Sequence, residues 1–174
     1  MVLWARILQK VPSSQLVLRI DGSTPVLRQE LVNEGIDLAR VRWLKRFSSE
    51  QAYLQGFNAI DIALDPFPYN GQTTSCDAFW MGVPLVTLAG DRDCARVGVN
   101  LLTNLDLNDL IAHTHEEYVA IASRLAGARA RLHELRSNLR DRLRMSPLMN
   151  AKTFSVNVEA AYRSMWRDWC STPK

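Results

Sequence analysis

The run Asn70-Gly71-Gln72-Thr73-Thr74-Ser75-Cys76-Asp77 brings a glycine, side-chain amides, adjacent hydroxyls and a carboxylate close together. If Gln72–Met81 winds as a helix, its first four backbone N–H groups lack partners inside it, and the peptide dipoles put roughly half a positive charge there. A phosphate fits such an end. Gly71 lets the backbone approach, Thr73 and Thr74 add hydroxyl donors, and Gln72 hydrogen-bonds without charge. Asp77 lies about one turn further on, where a carboxylate accepts from a sugar hydroxyl. A plainer reading uses the same residues: Thr73 or Thr74 caps the helix, and Asp77 complements its dipole.

The flanking residues say how such a loop is held. Ile60, Ile62 and Leu64 alternate with Asp61, Ala63 and Asp65, the period of a strand. Pro66 and Pro68 end it, and the chain turns through Tyr69-Asn70-Gly71. Gly82-Val83-Pro84 stops the helix, and Leu85–Leu88 reads as a second, apolar strand. The unit is strand, Gly-containing loop, helix, strand.

Upstream, Leu3, Trp4, Ile7, Leu8 and Val11 have helical spacing, and Pro12 closes that helix. Gln15–Ile20 reads as a buried parallel strand, Asp21–Pro25 as a turn, and Val26–Glu34 as a helix with Gly35 as C-cap. Arg40–Leu44 is a further strand. A helix capped by Ser48 or Ser49 runs to about Asn58. Downstream come helices at Arg96–Asn104 and His115–Gly127 (Thr114 as cap), a Leu-striped helix ending near Ser146-Pro147, and Ala151–Trp169. The alternation predicts an α/β class: a Rossmann-like, mostly parallel sheet with flanking helices. The whole chain is expected as one domain, an α/β core over about 1–112 followed by C-terminal helices over about 113–174. In such sheets ligands bind outside the C-terminal ends of the strands, where Asn70–Asp77 would lie.

At 174 residues, 47% hydrophobic and 22% charged, the chain suits one ordinary globular domain. No apolar run nears the ~20 residues that span a bilayer, and the N-terminal residues do not read as a secretory signal. Cys76, Cys94 and Cys170 match neither a zinc nor a CxxC pattern, which suggests reduced thiols in a cytoplasmic setting. His113, His115 and His133 have no partnering Cys, so no metal is expected. The net charge of +3 is mild, and seven Arg gather in Arg124–Arg144 around Leu132, Leu135, Leu139 and Leu143. No aromatics interleave with them, so a solvated helix face is expected there rather than a nucleic-acid surface.

A resemblance adds to this. Leu64-Asp65, Pro68, Asn70-Gly71, Thr73-Thr74, Asp77, Trp80, Gly82, Pro84 and Val86-Thr87 resemble the donor-binding segment of the protein O-GlcNAc transferases, whose catalytic region is of GT-B type and often follows tetratricopeptide repeats. The likeness continues, in order, through Gly90-Asp91-Arg92, Ala95-Arg96-Val97-Gly98, Leu107, Leu110-Ile111-Ala112, Ser146-Pro147-Leu148, Ala161-Tyr162 and Met165-Trp166. It implies the C-terminal, donor-binding half of a GT-B catalytic region. The implied reaction is metal-free, inverting transfer of N-acetylglucosamine from UDP-GlcNAc to protein Ser or Thr. It also implies that Gly71, Thr73 and Thr74 meet the diphosphate, that Gln72 lies near the phosphates or the sugar, and that Asp77 takes the ribose. Aligned from Asp65, Tyr53 falls where the family has a uracil-stacking histidine, and Glu50 near a lysine; Gln72 stands where His is common. Tyr53 can still stack on a base.

Against that pattern the chain is expected to lack the first strand of its sheet, between Gln15–Ile20 and Ile60–Leu64, together with the lysine loop after it and the acceptor-side half. It therefore reads as a fragment, inactive by itself, with a UDP-sugar donor, a protein acceptor, and either self-association or a companion chain as partners. Two alternatives accompany this reading: a non-catalytic remnant serving as an interaction module, and another UDP-sugar-using GT-B transferase. The stripe Phe154, Val158, Tyr162, Met165, Trp166 and Trp169 needs a cover in either case.

Overall fold

The computed structural model describes residues 1–19 and 25–171. Ile20 and the expected turn up to Thr24 lie outside the described residues. Helices and strands alternate: α1 (Val2–Lys10), β1 (Leu16–Arg19), α2 (Pro25–Asn33), β2 (Val41–Leu44), α3 (Glu50–Gly56), β3 (Ala63–Leu64), α4 (Thr73–Trp80), β4 (Leu85–Leu88), α5 (Val97–Asn104), β5 (Ile111–Ala112), α6 (His115–Gly127), α7 (Arg129–Met145) and α8 (Ala151–Ser171). Every strand pair is parallel.

The strands form two parallel sheets, divided between β1 and β3, where the sequence is expected to lack a strand. β1 pairs with β2, Leu16 opposite Val41; β3, β4 and β5 form the second sheet, Ala63 opposite Leu85 and Thr87 opposite Ile111. Among the described residues no strand joins β1 to β3, so each has a ladder partner on one side only. A strand paired on one side gains fewer backbone bonds, and β3 accordingly shrinks from the expected Ile60–Leu64 to two residues. β4, paired on both sides, is buried along its whole length. β5 is too short to show any period in the sequence.

The helix signals are local and hold. Ser49 accepts from the Ala52 N–H at 3.2 Å, and Thr114 from the Glu117 N–H at 3.1 Å. The Glu117 carboxylate reaches back to the His113 N–H at 2.7 Å, a reciprocal cap. Gly35 follows α2 with φ +79.

The core lies under β4. Phe79, Val86, Leu102, Leu107, Tyr118, Val119 and Leu139 are fully buried there, with Leu3 and Ile7 of α1 among them. The other face of α1 puts Ala5 and Leu8 into a second cluster with Leu16, Leu31, Ile36 and Val41. One helix thus serves both sheets.

No arginine of α7 is buried, in keeping with the expected solvated face, but two of them also reach neighbouring backbone. Arg136 donates to the Ile60 carbonyl, and Arg140 donates to the Trp80 carbonyl at 2.6 Å while lying 5.1 Å over the Trp80 ring. The Trp80 carbonyl belongs to the last turn of α4, one of the groups a helix leaves unsatisfied. Gly82, at φ +77, lets α7 pass so close that a Cβ would meet the Arg136 carbonyl oxygen at 2.5 Å. α7 therefore clamps the C-terminal end of α4 and fixes where its N-terminus points.

α8 stands apart. Phe154, Tyr162, Met165, Trp166 and Trp169 are 55–68% exposed, and its main contact is the turn at Pro147–Met149. Among the described residues no helix is long and apolar enough to cross a membrane.

Candidate functional site

The loop between β3 and α4 hangs from one buried carboxylate. Asp65, immediately after β3, has no exposed surface. Its Oδ1 accepts from the Gly71 N–H at 2.9 Å and its Oδ2 from the Thr87 hydroxyl at 2.7 Å. The Tyr118 hydroxyl donates to the Asp65 carbonyl at 3.1 Å. Asn70 completes the frame. Its N–H donates to the Cys94 carbonyl at 2.9 Å, its Nδ2 to the Pro66 carbonyl at 2.9 Å, and its Oδ1 accepts from the Gly98 N–H at 3.3 Å. Five segments (the loop, β4, the turn at Cys94, the start of α5, and α6) are tied through these groups. Burial pushes the Asp65 carboxyl above its ordinary range, opposed in part by the bonds from Thr87 and Gly71.

Sequence reasoning did not assign Asp65 or Thr87 to the site. Strand alternation put Asp65 on the more polar side, whereas its partners come from β4 and the loop. Gly71 also acquires a packing reason, because a Cβ there would meet the Ser75 hydroxyl at 2.7 Å.

α4 begins at Thr73 with Gln72 in the N-cap position, and the Gln72 side chain caps no amide. The first i→i−4 bond runs from Cys76 N–H to the Gln72 carbonyl at 3.1 Å, so the amides of Thr73, Thr74 and Ser75 precede it. Neither threonine takes the capping role that the plainer reading gave it. Gln72, Thr73 and Thr74 are exposed, Gly71 is half-buried, and Ser75 is buried beneath them. The arrangement offers backbone N–H groups, two hydroxyls and the helix dipole to an anion arriving from solvent.

Asp77 is half-buried on the same helix and accepts from the Tyr53 hydroxyl at 2.8 Å. Tyr53, on α3, packs edge-on against Phe47 and Phe57 with ring centroids 5.9 and 5.4 Å away. The Arg19 guanidinium, at the end of β1, lies 5.0 Å from the centroid of the Tyr53 ring. Burial, then the Asp77 carboxylate, push the Tyr53 phenol above its ordinary range. Glu50 is exposed in the first turn of α3, where a carboxylate suits the helix dipole.

A cleft of about 320 Å³ opens at the C-terminal ends of β4 and β5, lined by Leu88, Ala89, His113, Thr114 and His115. The His115 ring lies 5.9 Å from that of Phe67, which belongs to the β3–α4 loop, so the cleft adjoins the site. For these residues the sequence pointed only to Thr114 as a helix cap and to no metal at His113 and His115.

The model of the family described as Glycosyl transferase family 41 matches residues 1–158. A probable UDP-N-acetylglucosamine–peptide N-acetylglucosaminyltransferase SPINDLY from Hordeum vulgare is 40% identical over 98% of this chain, which spans 18% of that protein. The corresponding Arabidopsis thaliana protein is 40% identical over 96% of the chain, which spans 19% of it. The UDP-N-acetylglucosamine–peptide N-acetylglucosaminyltransferase of Caenorhabditis elegans is 31% identical over 95% of the chain, which spans 14% of that protein. Among solved structures, a mutant O-GlcNAc transferase from Thermobaculum terrenum superposes with a TM-score of 0.86 and 38% identity, covering 97% of this chain and 33% of that one. The chain thus spans less than a fifth of the length of these curated relatives.

Proposed function

Since the chain belongs to glycosyl transferase family 41, matching its model over residues 1–158, we propose that it is the donor-binding portion of a transferase moving N-acetylglucosamine from UDP-GlcNAc to protein Ser or Thr. The observation that carries the reading is the exposed Thr73–Thr74 pair at a helix N-terminus that no side chain caps. Negative charge grows on the UDP as the glycosidic bond breaks, and preorganised N–H and O–H groups stabilise it. One such donor is worth about 3–4 kcal/mol of barrier. Gly71 and Gln72 adjoin the phosphates, Asp77 takes the ribose hydroxyls, and Tyr53 lies at the nucleoside end. No residue of this site is placed as a general base, so donor binding rather than turnover is the activity expected of this chain by itself.

Calorimetric titration with UDP tests this. Charge-assisted hydrogen bonds contribute about 1.5–3 kcal/mol each, so Thr73→Ala with Thr74→Ala should weaken UDP by at least about tenfold while the thermal midpoint stays near wild type. Unchanged titration heats would sink the phosphate assignment.

A second reading has its own observation. The exposed aromatic face of α8 suits contact with a companion polypeptide or a second copy, so the chain can serve as an interaction module whether or not it binds a donor. A transferase using another UDP-sugar would need the same cradle and differ only around the sugar.

A further inference from the structure

We propose that Tyr53 is a positioning residue whose hydroxyl holds the Asp77 carboxylate ready for a ribose diol, while Arg19 holds Tyr53. The proposal rests on the nucleotide reading above and assigns Tyr53 a task other than stacking on the base.

The geometry carries it. The Tyr53 hydroxyl sits 2.8 Å from Asp77 Oδ2. A carboxylate offers about four acceptor positions on its two oxygens, so this bond consumes one, fixes the rotation of the group, and leaves Oδ1 for a ligand. A carboxylate already fixed loses less freedom when a diol binds. Tyr53 is itself immobilised, edge-on to Phe47 and Phe57 and with the Arg19 guanidinium 5.0 Å from its ring centroid. That guanidinium also lies 5.6 Å from the Phe47 ring centroid, so it spans both aromatics. A base seeking this face of Tyr53 meets a cation already in place. The phenol, raised above its ordinary range, remains a donor at neutral pH. Arg19 ends β1 while Asp77 belongs to α4, so the contacts also join the first sheet to the site.

The test titrates UDP, dideoxy-UDP lacking the ribose hydroxyls, and inorganic pyrophosphate against wild type, Tyr53→Phe, Tyr53→Ala, Asp77→Asn and the Tyr53→Phe/Asp77→Asn double variant. Wild type should prefer UDP to the dideoxy analogue. That preference should fall by about tenfold in Tyr53→Phe, the worth of one hydrogen bond to a charged group, and fall similarly in Asp77→Asn. The double variant should lose no more than Asp77→Asn alone, and pyrophosphate affinity should stay unchanged throughout. A Tyr53→Phe variant that keeps the preference, with Tyr53→Ala weakening both nucleotides equally, would make the ring a stacking platform and overturn the proposal. Equal losses for all three ligands would mean a purely structural role and overturn it too. If wild type binds neither UDP nor pyrophosphate, the nucleotide reading falls and takes this inference with it.

Discussion

Asp65→Ala should lower folding stability by about 2–6 kcal/mol, because one buried and one half-buried donor lose their acceptor at about 1–3 kcal/mol each. Those donors are the Gly71 N–H and the Thr87 hydroxyl, at 2.9 and 2.7 Å from a carboxylate with no exposed surface. Asp65→Asn should cost much less. Its amide oxygen can still accept from Gly71, and its NH2 can donate to the Thr87 oxygen, whose hydroxyl then turns away. The two variants should also separate in their pH dependence. The folded-state pKa of Asp65 is raised above the ordinary value of 3.8 by burial, so between the two values the folded state binds more protons than the unfolded one. The contribution is therefore most favourable below the unfolded pKa and is lost as pH rises through the folded one. Urea unfolding at several pH values should show this decline in wild type and its absence in Asp65→Asn. Equal stabilities for the Ala and Asn variants would mean that the carboxylate does not hold the loop.

Gly98→Ala should be almost as damaging, for a steric reason. A Cβ at Gly98 would run onto Asp65 Oδ2 and Thr87 Oγ1, both locked in one hydrogen bond, and would stand 2.7 Å from Thr87 Cβ. Overpacking typically costs about 1–3 kcal/mol, and losing the charge-assisted Thr87–Asp65 bond adds about 1.5–3 kcal/mol. We expect a total of about 3–5 kcal/mol. UDP affinity should fall as well, since the Gly98 N–H also donates to the Asn70 side chain that shapes the approach to α4. Thermal unfolding measures the first effect and titration the second. A variant within about 0.5 kcal/mol of wild type would show that α5 slides aside freely.

What the sequence disclosed was whatever depends on neighbours along the chain. Thr114, Ser49 and Gly35 mark helix ends because a hydroxyl or a positive φ acts within a few residues. The turn from loop into helix between Asn70 and Asp77 was legible for the same reason. The rest depends on residues far apart. Asp65 reads as one of the polar positions of a strand, and its burial is explained by partners on β4 and in the folded loop, Thr87 and Gly71. The arginines of α7 read as a solvated face, and only the folded path brings Arg136 to Ile60 and Arg140 to Trp80. The division between β1 and β3 was anticipated only through the family resemblance, since a period of two does not report ladder partners.

Helix α1 sends Leu3 and Ile7 into the cluster around β4, and Ala5 and Leu8 into the cluster around β1 and β2. Partial opening is thereby biased. The β1–β2 layer can loosen by giving up only the smaller set of apolar contacts, whereas α1 cannot leave without disturbing both. Amide protons of Val17 and Arg42 should therefore exchange with solvent deuterium sooner than those of Val86 and Thr87, with α1 between the two groups.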